Sequence, residues 1–159
     1  MKQLLRRRIL EPLKAQLTQG VTPGRLALAL ALGLVIGSVP ILGVTAVFCA
    51  IVAYVFKLNQ PAIQVANYAA YPLQLGLFIP FFHWGADLFG EPRVAFNLSQ
   101  LEGELAADVS GTMGRYAFAN LRAVTAWALV APVAVGLLYV VLKGVLARTR
   151  VARPASESQ

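Results

Sequence analysis

Five hydrogen-bonding side chains, Gln60, Gln64, Asn67, Tyr71 and Gln74, recur at intervals of four, three, four and three residues. That spacing sets side chains on one face of an α-helix. They lie in a stretch with no Asp, Glu, Lys or Arg from Leu58 to Ala86. Carboxamides in surroundings so poor in water must find partners, so the stripe either bonds a neighbouring helix or lines a hydrated path for a substrate or a lipid headgroup. Pro61, Pro72 and Pro80 interrupt the same stretch, and irregular backbone without water is tolerated only where protein or a wet cavity satisfies it.

A second candidate is the segment Gly37-Ser38-Val39-Pro40-Ile41-Leu42-Gly43, followed by Thr45. Pro40 removes a backbone donor and blocks continuation of a helix, while the flanking glycines allow a turn. Ser38 and Thr45 add hydroxyls. In transporters, breaks of this kind aim half-helix termini at substrate. Gly33 and Gly37, four apart, read as a close-packing face.

Other chemistry is not indicated. No nucleophile–base pair, Gly-rich phosphate loop, nucleophile elbow or pair of metal-binding carboxylates occurs, and the single histidine, His83, argues against a zinc site. His83 and Asp87, four apart, are expected to share an interfacial hydrogen bond. The lone Cys49 permits no intramolecular disulfide, and its apolar neighbours disfavour a reactive thiolate. No catalytic residue, cofactor or metal ligand is assigned, and the chain is not read as an enzyme.

The elements that must position the candidates follow from composition. The chain is 58% apolar and 13% charged, outside the balance of soluble domains. Three runs are free of Asp, Glu, Lys and Arg: Leu26 to Phe56, Leu58 to Ala86 and Ala123 to Leu142. Roughly 20 residues of helix cross the hydrocarbon, so each run is long enough. The first is broken near its centre into two helices of about 12 to 14 residues, ~20 Å each, short of the ~30 Å hydrocarbon. A re-entrant hairpin over residues 22–57 is expected, opened by Thr22 as N-cap with Pro23 at the first helical position. A crossing through 58–86 follows and completes a membrane domain spanning 20–92. Residues 93–122 read as an external amphipathic segment with Leu98, Leu101, Leu105 and Val109 on one face. A return crossing over 123–142 carries Trp127 near one end and Tyr139 with Lys143 near the other as interface anchors. Residues 1–19, with Leu5, Ile9, Leu13 and Leu17 at fourfold spacing, read as an amphipathic basic helix on the cytoplasmic surface, and residues 143–159 as a basic, partly disordered cytoplasmic tail.

Charge placement orients this arrangement. The net charge is +7, and residues 1–25 hold six basic groups against Glu11. Lys143, Arg148, Arg150 and Arg153 stand in the tail, while five of the seven acidic residues (Asp87, Glu91, Glu102, Glu104, Asp108) lie between the second and third runs. Basic ends beside a membrane are retained in the cytoplasm and meet anionic lipid headgroups. Both termini are therefore expected to be cytoplasmic in a multi-pass protein of the bacterial cytoplasmic (inner) membrane. No recognition motif accompanies the basic residues, so nucleic acid is not an expected partner.

The stretch from Gly20 to about Pro92 resembles the bacterial membrane family of domain of unknown function 2062. The likeness is carried by Pro23 and the small-residue helix after it, Gly37, Pro40, Gly43, Thr45, Leu58-Asn59 and Pro72-Leu73. Members commonly show Asn-Pro where this chain has Tyr71-Pro72, which places it with the branch reading YPLQL and IPF. The resemblance implies a membrane location and brings no reaction with it. The expected fold is an all-α integral membrane protein: a Pro-broken re-entrant hairpin, two transmembrane helices and amphipathic interfacial helices. Homo-oligomerisation is expected, with Gly33 and Gly37 among the contacts. The functional expectation is a transport or lipid-handling component, the alternative a non-catalytic scaffold or accessory subunit of a membrane-associated enzyme complex. A hydrated cavity at the stripe favours the first and buried side chains favour the second.

Overall fold

The computed structural model describes residues 22–94 and 97–151, which hold helices and no strand. The amphipathic helix expected over 1–19 and the tail beyond residue 151 lie outside the described residues. Helix α1, Pro23–Gly37, starts at the cap the sequence indicates: the Thr22 side chain accepts from the Arg25 N–H at 3.4 Å, with Pro23 in the first turn. Helix α2 is Thr45–Val55. Residues 38–44 between them are not helical, and Gly43 takes the left-handed φ of +87° that a side chain would resist. The two helices return on each other, because the Arg25 guanidinium donates to the carbonyls of Phe56, at 3.1 Å, and Lys57.

The run expected as one crossing over 58–86 is two helices, α3 Gln60–Ala69 and α4 Tyr71–Phe89. The cause is Pro72, which has no N–H for the Tyr68 carbonyl and whose ring crowds that turn. The N–H of Ala70 closes α3 on Ala66 and Asn67 at 3.0 and 3.2 Å. Pro80, in contrast, is held inside α4. Asn59 caps α3 by accepting from the Ala62 N–H at 2.9 Å.

Helix α5, Leu98–Ala107, is separated from α6, Val109–Val151, by the extended Asp108. Val109 therefore belongs to α6 and does not extend the face of Leu98, Leu101 and Leu105. At 43 residues, α6 is ~65 Å long, about twice the hydrocarbon thickness. No backbone break separates the expected external segment from the crossing over 123–142. Among the described residues one helical stretch, Val109–Arg148, is long and apolar enough to cross a membrane, and α1 and α2 are shorter apolar helices.

Helix α1 is the centre of the packing. Against α3 it runs parallel: a Cβ built on Gly33 would stand 2.4 Å from the Ile63 carbonyl oxygen and 2.7 Å from the Ala66 Cβ, and one on Gly37 would meet Ala70 and Asn67 at 2.8 Å. Such approach of two backbones is what small residues permit. Gly33 and Gly37 are thus spent inside the chain, not between copies. Against α6, α1 runs antiparallel, with Gly24 facing Tyr139 and Ser38 facing Trp127. Leu26, Ala29, Cys49, Ala53, Leu58, Ala62 and Ile63 form the core between α1, α2 and α3, with Leu146 of α6 packed on it. A second core joins Phe82 of α4 to Ala119 and Ala123 of α6. Outward, Val47, Phe48 and Ile51 of α2 and Leu129, Val133, Leu137 and Val140 of α6 are exposed, an extensive apolar exterior.

Candidate functional site: the helix break and its carboxamide clasp

The break in the hairpin leaves carbonyl groups that no helix satisfies, and side chains from two distant helices reach them. Gln74 of α4, 2% exposed, donates to the carbonyls of Val39 at 2.8 Å and Ile41 at 3.0 Å. Asn120 of α6 donates to the carbonyl of Pro40 at 2.6 Å. Three successive carbonyls are thereby engaged, of which that of Val39 also accepts from the Ile41 N–H at 2.8 Å. Ser38, buried, donates its hydroxyl to the Val35 carbonyl at 2.8 Å and accepts from the Trp127 indole at 3.3 Å.

Below the break the stripe continues as a ladder. Gln60 donates to the Ala50 carbonyl and Gln64 to the Ala46 carbonyl, each at 2.9 Å. Two amides four apart on α3 meet two carbonyls four apart on the antiparallel α2, so one helical period matches the other. Asn67, 4% exposed, lies where α3 meets Gly37. The Gln64 Oε1 and the Asn67 Oδ1 are buried and accept no hydrogen bond from the described residues.

The five-membered face is thus divided. Gln60 and Gln64 turn to α2 and Gln74 to the break, Asn67 is buried where its backbone meets Gly37 of α1, and Tyr71 is 54% exposed. The kink at Pro72 takes Tyr71 out of register. Of the break residues, Gly37 packs on α3, Ser38 and Pro40 are buried and engaged, Gly43 makes the turn in open space, and Thr45 opens α2 behind Val44, which gives no side-chain cap. Asn120 and Trp127 belong to this site although the sequence placed the first in an external segment and the second at an interface. Their only signal is position: both flank the start of the uncharged run of α6.

The far end of the bundle is built differently. Asp87 gives both carboxylate oxygens to Arg93, at 2.7 and 3.0 Å, instead of pairing with His83. Arg122 pairs with Glu91 and Arg115 with Glu104, each at 3.1 Å. Arg93 holds the Asp87 carboxyl below the usual carboxylate range, and the Gly111 N–H and Ser110 hydroxyl do the same for Asp108. These pairs surround a cleft of about 580 Å³. Among the described residues no three His, Cys, Asp or Glu stand together as metal ligands.

Comparison with known proteins completes the picture. No curated protein and no solved structure matches the chain significantly. A family model does match, over residues 3–154, and so takes in the break, the clasp and all of the described helices. The chain belongs to the family described as uncharacterized protein conserved in bacteria, DUF2062.

Proposed function

We propose that the chain is a multi-pass component of the bacterial cytoplasmic membrane that serves as a non-catalytic scaffold or accessory subunit of a membrane-associated enzyme complex. One observation carries this reading: the amide donors of Gln60, Gln64 and Gln74 are taken by backbone carbonyls of the hairpin. A path for substrate needs polar groups turned toward water and a second arrangement to move into. Here the stripe holds α2 and the break against α3 and α4, which makes the hairpin a rigid insert.

The charges support a topology with both termini cytoplasmic. Arg25, Lys57 and Lys143 gather at one end of the bundle, where Gly24 meets Tyr139 and the Lys143 ammonium lies 5.5 Å from the Tyr139 ring. Asp87, Glu91, Glu104 and Asp108 gather at the other. In this reading the hairpin is re-entrant from the basic side, and its apex, beside Asn120 and Trp127, reaches the far end of the uncharged run of α6. Self-association would use the outward faces of α2 or α6, since Gly33 and Gly37 are occupied. A second reading, lipid handling, is favoured by the cleft at the acidic end.

The test is water access in a Cys49→Ala background. Asn67→Cys removes no hydrogen bond and should resist a membrane-impermeant thiol reagent from either side, whereas Ser99→Cys should react from outside and Lys57→Cys only from the cytoplasm. Rapid modification at position 67 would establish a hydrated path and overturn the scaffold reading. External reaction at position 57 would overturn the re-entrant hairpin.

A further inference from the structure

The basic end of the bundle carries charge that no described carboxylate balances. Arg25, Lys57 and Lys143 gather there, whereas the ion pairs of Arg93, Arg115 and Arg122 lie at the other end. Five of the seven acidic residues fall between residues 87 and 108, and the remaining two, Glu11 and Glu157, lie outside the described residues. Cations gathered without a counter-charge repel one another, and an anion that enters among them removes that cost. We propose that this end binds one anionic phospholipid, its phosphate diester held by Arg25 and Lys57 at the corner between α2 and α3 and by Lys143 of α6.

The corner is built in a way that packing alone does not require. Lys57 takes a left-handed φ of +50°, a conformation that costs any residue with a Cβ and that glycine adopts freely. Its carbonyl and that of Phe56 both accept from Nη2 of Arg25, which fixes the guanidinium and leaves Nε and Nη1 able to donate to an anion. Glycine at position 57 would make the same turn without strain. Strain of this kind persists where a side chain is needed, and the side chain kept here is an ammonium beside a pinned guanidinium. On the α6 side the Lys143 ammonium lies 5.5 Å from the Tyr139 ring, and Tyr139 faces Gly24, the neighbour of Arg25.

Position agrees with charge. Arg25 and Lys57 bound the uncharged run of the hairpin, and Lys143 is the first charged residue after the uncharged run of α6, so all three stand at the depth of headgroups. Tyr54 and Val55, in the last turn of α2, are 82% and 63% exposed, which gives acyl chains an apolar surface beside the phosphate. A free phosphate ester would gain nothing from that surface. The proposal goes beyond both functional readings and rests only on the basic end standing at a membrane surface, which the thiol labelling described above tests by itself.

The experiment equilibrates the full chain in mixed micelles with equal amounts of phosphatidylglycerol, phosphatidylethanolamine and phosphatidylcholine of identical acyl chains. Retained lipid is counted by native mass spectrometry, and the unfolding midpoint is measured with and without each lipid. Phosphatidylglycerol should be retained about tenfold over the other two, whose ammonium groups would add a further cation, the discrimination expected of one charge-assisted hydrogen bond. Lys57→Gly relieves the left-handed strain and removes one ammonium, so without lipid it should be at least as stable as the native chain while its preference for phosphatidylglycerol falls several-fold. Lys57→Gln, which keeps the strain and removes the charge, should lose the preference to the same extent without gaining stability. Lys143→Gln should weaken the preference as well, and Arg148→Gln, which removes the same charge more than a turn further along α6, should leave it unchanged. Equal losses at positions 57, 143 and 148 would mean that the basic end attracts anionic lipid diffusely, and would overturn the site. Soluble glycerophosphoglycerol should compete only at much higher concentration, and displacement of the lipid at equal concentration would overturn the lipid in favour of a free phosphate ester. Retention of all three lipids without discrimination would overturn the proposal outright.

Discussion

The two ends of the bundle are held together by opposite means. At the hairpin, backbones touch through glycine and alanine, and the polar groups are neutral amides meeting carbonyls inside the protein. At the acidic end, half-exposed ion pairs surround an open cleft. Buried neutral hydrogen bonds fix geometry, since a carbonyl stripped of its donor has no water to turn to. Exposed ion pairs are screened and exchange partners readily. The contrast assigns rigidity to the hairpin and adaptability to the cleft, and substitutions should separate the two.

The largest effect is expected at Gly33. Leucine there would drive a Cβ to 2.4 Å from the Ile63 carbonyl oxygen, and neither backbone can yield without parting α1 from α3. Gly33→Leu should cost about 3 kcal/mol or more, at or beyond the upper range for overpacking, read as loss of monodisperse protein and a lowered unfolding midpoint in detergent. Gly76→Leu and Gly136→Leu, where an added Cβ meets nothing within 4 Å, should be stable. If Gly33→Leu is as stable as these, the hairpin end is not held by close packing.

Next comes Gln74, whose amide satisfies two carbonyls of the break. Gln74→Leu should lose about 1 to 2 kcal/mol, two interhelical hydrogen bonds at typical membrane values, and Asn120→Leu about half as much. Arg93→Gln, which opens a pair with side chains 58% and 51% exposed, should change stability less than either, because solvent screens such a pair. An equal or larger loss at Arg93 would reverse the comparison.

How much of this was legible beforehand differs between the ends for a physical reason. The break at residues 38–44 is readable because Pro40 cannot donate and Gly37 and Gly43 bend freely, local properties that tertiary contacts do not override. The cap at Thr22 and Pro23 is readable on the same ground. Asn120 is not, because its partner is 80 residues away and a lone amide carries no periodicity. The continuity of α6 through residues 109–142 is hidden too: charge marks a change of polarity, not the end of a helix, so Arg115 and Arg122 put their stretch in the external amphipathic segment of 93–122 while the backbone continues into the uncharged run. The division of the stripe follows from Pro72, visible in the sequence, though only the structure shows that it ends α3 and turns Tyr71 outward.

Within the clasp, two neighbouring carboxamides should behave differently. Gln64 donates to the Ala46 carbonyl, so Gln64→Leu should cost ~0.6 kcal/mol, the mean for such bonds in membranes. The Gln64 Oε1 and the Asn67 Oδ1 are both buried without a donor, so the Gln64 N–H bond is what separates the two, and Asn67→Ala, which breaks no such bond, should fall within about 0.5 kcal/mol of wild type. Denaturation in graded detergent mixtures resolves the order, and a larger loss at Asn67 than at Gln64 would show that its carboxamide has work outside the clasp.

The smallest effect is a pH dependence confined to the acidic end. Asp108 is the N-cap of α6: its carboxylate accepts from the Gly111 N–H at 3.0 Å and the Ser110 hydroxyl at 2.9 Å. Those bonds lower its pKa in the folded chain, the Gly111 N–H being the leading cause and Arg115 adding to it. A carboxyl whose folded pKa is depressed contributes stability that is present above the ordinary carboxylate range and is lost as pH falls through the depressed value. Because Asp108 is fully exposed, global unfolding should barely move. What should change is the first turn of α6, where amide exchange at Gly111 and Thr112, corrected for its intrinsic pH dependence, should accelerate in acid while exchange in α1 and α3 does not. Asp108→Asn keeps a side-chain acceptor for the cap and removes the titration, so its first turn should be insensitive to the same acidification. If Asp108→Asn frays with the same pH profile as wild type, the Asp108 cap is not the group that titrates there, and the first turn of α6 is held by other contacts, among them the Arg115 bond to the Thr112 hydroxyl.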